Sequence, residues 1–133
     1  MLYRKFALIV FVLILLFVFV STPDKASVED SARAADYCSG KEKYPPKKFT
    51  SDVCSRWPDG EWGSCCMEHD IKYWCGGETS DRLAADLEIQ SCINKIKPGM
   101  GTLMFWGIRA GGTPWLPTPY RWGYGWSWPD SGN

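Results

Sequence analysis

Cys65-Cys66-Met67-Glu68-His69-Asp70 decides how this chain is read. Two adjacent cysteines precede the only histidine of the sequence, and a carboxylate follows it. Tyr73 lies four residues on, and a second carboxylate, Asp86, waits further along the chain. Trp62, Cys66, His69 and Tyr73 recur at three- or four-residue spacing, which predicts a helix starting around Trp62 to Ser64 with these side chains on one face. Gly76-Gly77 stops that helix, and Thr79 or Ser80 can cap a second one. The second helix runs to about Lys97, where Pro98-Gly99 ends it. Its inward stripe is Arg82, Ala85 or Asp86, Ile89, Cys92 or Ile93, and Ile96. A carboxylate on such a stripe is anomalous, because an ionised Asp without a partner is prohibitively costly to bury. His69 and Tyr73 on the facing helix are the donors at hand.

The 133 residues suffice for one small domain. Met1 to Val20 reads as a targeting segment: Arg4 and Lys5 precede an unbroken apolar run from Phe6 to Val20. It is either a cleaved signal peptide or an N-terminal membrane anchor. Fifteen residues at ~1.5 Å each are short for a bilayer core of ~30 Å, and the A-x-A pattern at Ala32-Arg33-Ala34 lies far behind the run. Both readings place the rest outside the cytoplasm, secreted or periplasmic, or tethered to the membrane by residues 6–20. All six cysteines (Cys38, Cys54, Cys65, Cys66, Cys75, Cys92) lie in that exported part. An even number in a small exported domain is read as a disulfide framework. A zinc site built on Cys65, Cys66 and His69 is the competing reading, and no second CxxC pair supports it.

Residues 21–36 are polar, carry small side chains and lack aromatics, so they read as a tether, with the folded domain at 37–133. Tyr44-Pro45-Pro46 interrupts regular structure, and Pro58-Asp59-Gly60 is a turn. From Gly99 to Asn133 the chain holds five of its eight tryptophans, eight glycines and four prolines, with almost no helical period. Most of this tail is expected to pack over the helices, Trp115 included. Trp115, Trp122, Trp126 and Trp128 are candidates for a rim at a lipid boundary, with Trp126 and Trp128 favoured for that role. Charge names no partner. Beyond Val20 there are 13 Lys and Arg (15 less Arg4 and Lys5) against 15 Asp and Glu. The cluster Lys41, Lys43, Lys47 and Lys48 reads as solvated surface, and nothing suggests nucleic acid.

Adjacent helix positions diverge by roughly 100°, so His69 and Asp70 serve different tasks. His69 faces Asp86, and Asp70 faces the loop from Cys54 to Gly60. An Asp that accepts from one imidazole nitrogen fixes the tautomer and leaves the other nitrogen to take a proton from water. Asp70 with loop carbonyls makes an oxygen site suited to Ca²⁺, which polarises a carbonyl. No serine sits at a nucleophile elbow. Metal-assisted attack of water on an ester fits these residues best.

Cys65-Cys66-x-x-His69-Asp70-x-x-Tyr73, followed by Asp86 six residues before Cys92, resembles the active-site helix pair of secreted phospholipases A2. The resemblance covers about Val53 to Cys92. It implies a mainly α fold: two antiparallel, disulfide-linked active-site helices with loop-rich flanks, followed here by the Trp/Gly/Pro-rich C-terminal segment. It implies calcium-dependent hydrolysis of the sn-2 acyl ester of a phospholipid at a membrane surface. His69 is then the general base, Asp86 its orienting partner, Tyr73 a donor to Asp86 and Asp70 the side-chain calcium ligand. It also implies bridges Cys54–Cys66 and Cys65–Cys92. Cys38 and Cys75 have no counterpart in the family pattern and are left for a third. The family's glycine-rich calcium loop is replaced by Val53-Cys54-Ser55-Arg56-Trp57-Pro58-Asp59-Gly60. Matching Cys54 to the loop cysteine makes the carbonyls of Val53, Ser55 and Trp57 the ligands, and Asp59 is an alternative through its side chain. The departure leaves a second reading open, a phospholipase-A2-like domain that binds lipid or protein without turnover.

Overall fold

Ser27 and Asp30 close a capping box, each side chain accepting from the other's backbone N–H, and start a helix where the sequence reads as a tether. In the computed structural model, which describes residues 2–19 and 22–133, the helices are α1 (Leu2–Phe19), α2 (Val28–Ser39), α3 (Gly63–Cys75), α4 (Thr79–Ile96) and α5 (Met100–Gly111). A single 3₁₀ turn, Gly60–Trp62, leads into α3, and no strand forms among the described residues. The fold is mainly helical.

Of the segment read as a tether, residues 28–36 lie in α2, and Ser21 is outside the described residues. Asp24 accepts from the backbone of Ser51, Lys25 donates to the Ser51 carbonyl, and α2 buries Ala34 and Cys38 against Phe49, Met67, Ile71 and Trp74. Small side chains on α2 are what allow this close approach, and their smallness is also what made the segment look like a linker. Ala32-Arg33-Ala34 lies inside α2. In α1 the large apolar side chains from Phe6 to Leu16 are exposed. No helix among the described residues is long and apolar enough to cross a membrane. The junction at Val20–Ser21, where a signal segment would end, lies outside the described residues.

α3 is buried on nearly every side, with Cys65, Cys66, Met67, His69, Ile71, Tyr73, Trp74 and Cys75 all in the interior. It contacts α2 on one flank and α4 on the other, and α4 in turn packs on α5. Cys65, early in α3, is bridged to Cys92, late in α4, while Tyr73 near the end of α3 meets Arg82 near the start of α4, so the two helices run antiparallel. The other bridges are Cys54–Cys66, holding the preceding loop to α3, and Cys38–Cys75, holding α2 to its far end. Three disulfides in a chain of this size mark an oxidising, extracytoplasmic environment. α4 is capped by Glu78 paired with Asp81, one residue before the expected Thr79 or Ser80. It buries Arg82, Ala85, Asp86, Ile89 and Ile93, whereas Ile96 at its end is exposed.

α5 departs from the expectation of an irregular chain after Gly99. Gly101, Gly107 and Gly111 lower its helix propensity and hide its period. Gly101 explains why the helix forms regardless: a Cβ there would collide with the Gln90 carbonyl and with Asn94. The missing side chain lets α5 lie directly on α4, where Thr102 accepts from Gln90 and Asn94.

Beyond α5 the tail wraps the C-terminal end of α3 and satisfies carbonyls that a helix end leaves orphaned. Gly123 N–H donates to the Tyr73 carbonyl at 2.7 Å, Gly125 N–H to Trp74 at 3.2 Å, and the Trp126 indole N–H to Cys75 at 2.8 Å. The Trp122 indole donates to the Gly77 carbonyl, and the Arg121 guanidinium ties together the carbonyls of Trp122, Trp126 and Asp130. Trp122 and Trp126 are thus buried, Trp128 is half exposed, and Trp115 is 80% exposed. This reverses the assignment of Trp115 to packing and of Trp126 to a lipid boundary. An indole whose N–H completes a helix end is retained inside, whereas Trp115 stands between Pro114 and Pro117 on an outward turn.

Trp126→Ala is expected to cost ~3–5 kcal/mol, the usual range for emptying a buried indole site, while Trp115→Ala stays within ~0.5 kcal/mol. Chemical denaturation of the two variants beside the wild type measures both.

Candidate functional site

His69 and Tyr73, four apart on α3, share a face, as do Arg82 and Asp86 on α4. The antiparallel packing brings the two pairs together around Asp86, whose side chain has no exposed surface. His69 Nε2 lies 2.8 Å from Asp86 Oδ1, and the Tyr73 hydroxyl donates to the same oxygen at 2.7 Å. Oδ2 is taken by Arg109 Nη1 from α5 at 2.6 Å. Arg82 Nε stands 3.8 Å from Oδ2 and donates to the Tyr73 hydroxyl at 3.2 Å, while its Nη2 donates to the carbonyls of Ile108 and Arg109. A buried charge persists only when paired and hydrogen-bonded in this way.

Burial pushes the Asp86 carboxyl up, but the bonds from His69, Arg109 and Tyr73 outweigh it and hold the group below the ordinary carboxylate range. Burial drives the His69 imidazole below its ordinary value against the pull of Asp86, so the ring is neutral near pH 7. An ionised carboxylate only accepts, so the ring proton sits on Nε2 and Nδ1 keeps its lone pair. Burial and the Asp86 charge raise the Tyr73 phenol, which stays protonated and donating.

His69 and Tyr73 also line a cavity of about 190 Å³ with Asp70 and with Val53, Ser55 and Trp57 of the preceding loop. Met104, Gly107, Ile108 and Gly111 of α5 form its apolar wall. The cavity thus gathers the sequence-predicted residues of α3 and the loop, with Asp86 behind them. Asp59 is not among them: its carboxylate accepts from the Cys54 N–H and from Lys25. Cys65 and Cys66 are both in disulfides, which excludes the zinc reading built on them.

In the loop, Trp57 N–H donates to the Cys54 carbonyl and closes a turn. Val53 and Arg56 adopt φ of +70° and +64°, left-handed conformations that side chains other than glycine take at a cost. Strain of this kind is held only where the surroundings fix it, and it concentrates at functional sites. Here the Cys54–Cys66 bridge and the bond from Cys54 to Asp59 do the fixing.

Asp70 accepts from the Ser51 hydroxyl at 2.6 Å. Burial pushes its carboxyl well above the ordinary range; the Ser51 bond pulls the other way, and the neighbouring Asp52 adds to the rise. A carboxylate so placed gains from a cation beside it. Among the described residues no group of three His, Cys, Asp or Glu side chains could hold a metal. A cation at Asp70 would have to rely on backbone and hydroxyl oxygens, a donor set that suits a hard ion.

Sequence reasoning did not find Arg109, Ser51 or Tyr124, whose hydroxyl donates to the Thr50 carbonyl at 2.6 Å and stands 3.2 Å from the Asp70 carbonyl. They lie outside the motif, two of them beyond α4. Arg82 was placed on the inward stripe without a role, although its spacing of four from Asp86 was a legible sign of pairing.

Comparison with protein-family models finds no match, and comparisons with curated proteins and with solved structures find none either. The functional reading rests on the arrangement of side chains.

Asp86→Ala strands three donors, His69, Tyr73 and Arg109, and is expected to cost ~3–5 kcal/mol, with Tyr73→Phe nearer ~1 kcal/mol. Because the folded carboxyl lies below its unfolded value of ~3.9, the stability it contributes is complete above that pH and is lost as the pH falls through the folded value. Melting temperatures of wild type and Asp86→Asn should therefore converge as the solution is acidified below about pH 4.

Proposed function

We propose that the chain is a phospholipase-A2-like hydrolase that cleaves the sn-2 acyl ester of a phospholipid with water, in a calcium-dependent reaction. The observation that carries this reading is the neutral His69 imidazole, held by a buried Asp86 at 2.8 Å, at a cavity with an apolar wall that also contains Asp70. At about 190 Å³ the cavity exceeds the ~150 Å³ that encloses a benzene ring, so a stretch of acyl chain fits while the head group stays outside.

His69 Nδ1 removes a proton from water as the oxygen adds to the ester carbonyl. Asp86 stabilises the imidazolium that forms and keeps it oriented, and the same nitrogen then returns the proton to the departing alcohol oxygen. Tyr73 holds Asp86 in place and does not ionise. Asp70 is the residue suited to hold Ca²⁺, with the carbonyls of Val53, Ser55 and Trp57. When bound, the ion polarises the ester carbonyl and balances negative charge developing on it. The exported, disulfide-closed domain suits a substrate met at a membrane surface.

A second reading, a lipid- or protein-binding domain without turnover, draws support from the loop, where Val53 and Arg56 occupy left-handed conformations in place of glycines.

Fatty-acid release from mixed phospholipid vesicles separates the two. The hydrolase reading expects release that stops with chelator, returns with Ca²⁺ but not Zn²⁺, and falls at least ~10²-fold in a folded His69→Gln variant. Release by that variant at the wild-type rate would rule out the base, and binding to vesicles without release would favour the second reading. Asp70→Asn removes a carboxylate that its surroundings hold well above the ordinary range, so in chelator it is expected to melt no lower than wild type. Added Ca²⁺ should raise the melting temperature of wild type alone.

A further inference from the structure

Asp86 divides its two oxygens between different parts of the fold. Oδ1 belongs to α3, through His69 and Tyr73, and Oδ2 belongs to α5, through Arg109. Among the described residues Arg109 is the one donor within hydrogen-bond range of Oδ2, since Arg82 Nε stands back at 3.8 Å. Arg82 is occupied elsewhere: it holds the carbonyls of Ile108 and Arg109 and so fastens the last turn of α5 to α4. That turn carries the Arg109 side chain back to Asp86. The same helix supplies Met104, Gly107, Ile108 and Gly111 to the cavity wall.

A carboxylate held at one oxygen only is free to rotate about its bond to Cβ and to offer either oxygen to a neighbour. The torsion is broad and nearly two-fold. We propose that Arg109 is a positioning residue for the His69–Asp86 pair: by holding Oδ2 it fixes the rotation of the carboxylate so that Oδ1 faces the imidazole, and it ties that orientation to α5, the wall of the apolar cavity. Arg109 touches neither His69 nor the position where water would react, and it acts through Asp86. Charge balance alone would be met by Arg82 in the same neighbourhood. The contact at 2.6 Å to a carboxylate with no exposed surface is what adds direction.

The inference rests on the hydrolase reading for its consequence, but its structural content can be measured without turnover. His69 is the only histidine, so the nitrogen resonances of one imidazole report its tautomer at a fixed pH of about 8, above the ordinary range of the ring. Wild type should carry its proton on Nε2. Arg109→Gln should show a mixture of tautomers and lose kcat by about 10–100-fold, as for other small misplacements of a catalytic group, with KM changed less than about two-fold. Free guanidinium at millimolar concentration should restore part of both. Arg109→Lys keeps a cation within reach of Oδ2, and it should retain the wild-type tautomer with a smaller loss of kcat. The proposal is overturned if folded Arg109→Gln keeps the wild-type tautomer and kcat, or if Arg109→Lys is as impaired as Arg109→Gln. Should Arg109→Gln fail to fold, the Arg109→Lys result decides alone. Should wild type release no fatty acid, the hydrolase reading fails, and the tautomer measurements still decide whether Arg109 orients the pair.

Discussion

A single buried carboxylate organises this domain. Asp86 has no exposed surface, yet its bonds hold it ionised, because α3 and α5 deliver donors to it while α4 sets a guanidinium nearby. α3 brings His69 and Tyr73, α4 brings Arg82 from its own preceding turn, and α5 brings Arg109. Each helix is thereby registered against the others more tightly than apolar packing would require, since a slip of one turn in any of them leaves a charge unpaired in the interior. The buried network also links the fold to the chemistry. The bond that helps to hold Asp86 ionised also fixes His69 in one tautomer, while burial keeps the ring neutral.

The remaining structure keeps α3 in place. Three disulfides leave it in three directions: to α2, to the loop before it and to α4. At its far end, where a helix leaves carbonyls without partners, the C-terminal segment supplies N–H groups from Gly123, Gly125, Trp122 and Trp126. The tail is irregular for that reason. Its course follows the positions of acceptors on another element, with Gly125 where its backbone passes against Trp74. Two regions stand apart from this rigidity. The loop at Val53 and Arg56 retains left-handed residues, and the half-buried Asp70 carboxylate accepts from the Ser51 hydroxyl while its surroundings push the carboxyl well above the ordinary range. Both border the same cavity as His69, which is where the domain has features that stability alone does not explain.

Much of the site was legible in the chain. The spacing of His69 and Tyr73 put them on one face, and the carboxylate of Asp86 on an apolar stripe demanded donors that only the facing helix could offer. These are local facts of helical period and of the cost of burying charge, and they hold wherever the helices are placed. The even number of cysteines behind an apolar leader likewise indicated a disulfide framework. What misled was composition. Small residues in α2 looked like a linker, glycines in α5 erased its period, and tryptophans in the tail looked like a surface.

In each of those cases the sequence signal was ambiguous because its meaning depended on a partner. Gly101 weakens a helix unless α4 lies against it, when the absent side chain becomes the reason for the contact. Trp126 is surface-seeking until the Cys75 carbonyl needs a donor, and Trp115 looks like packing until prolines turn it outward. By itself the sequence determined the α3–α4 pair, the residues facing across it and a disulfide-closed, extracytoplasmic character, because period, charge and cysteine count act locally. Only the tertiary structure decided that α2 and α5 exist as packed helices, that the tail caps α3, and that Arg109 completes the partners of Asp86. Those outcomes turn on which distant groups meet, and neither spacing nor composition encodes that.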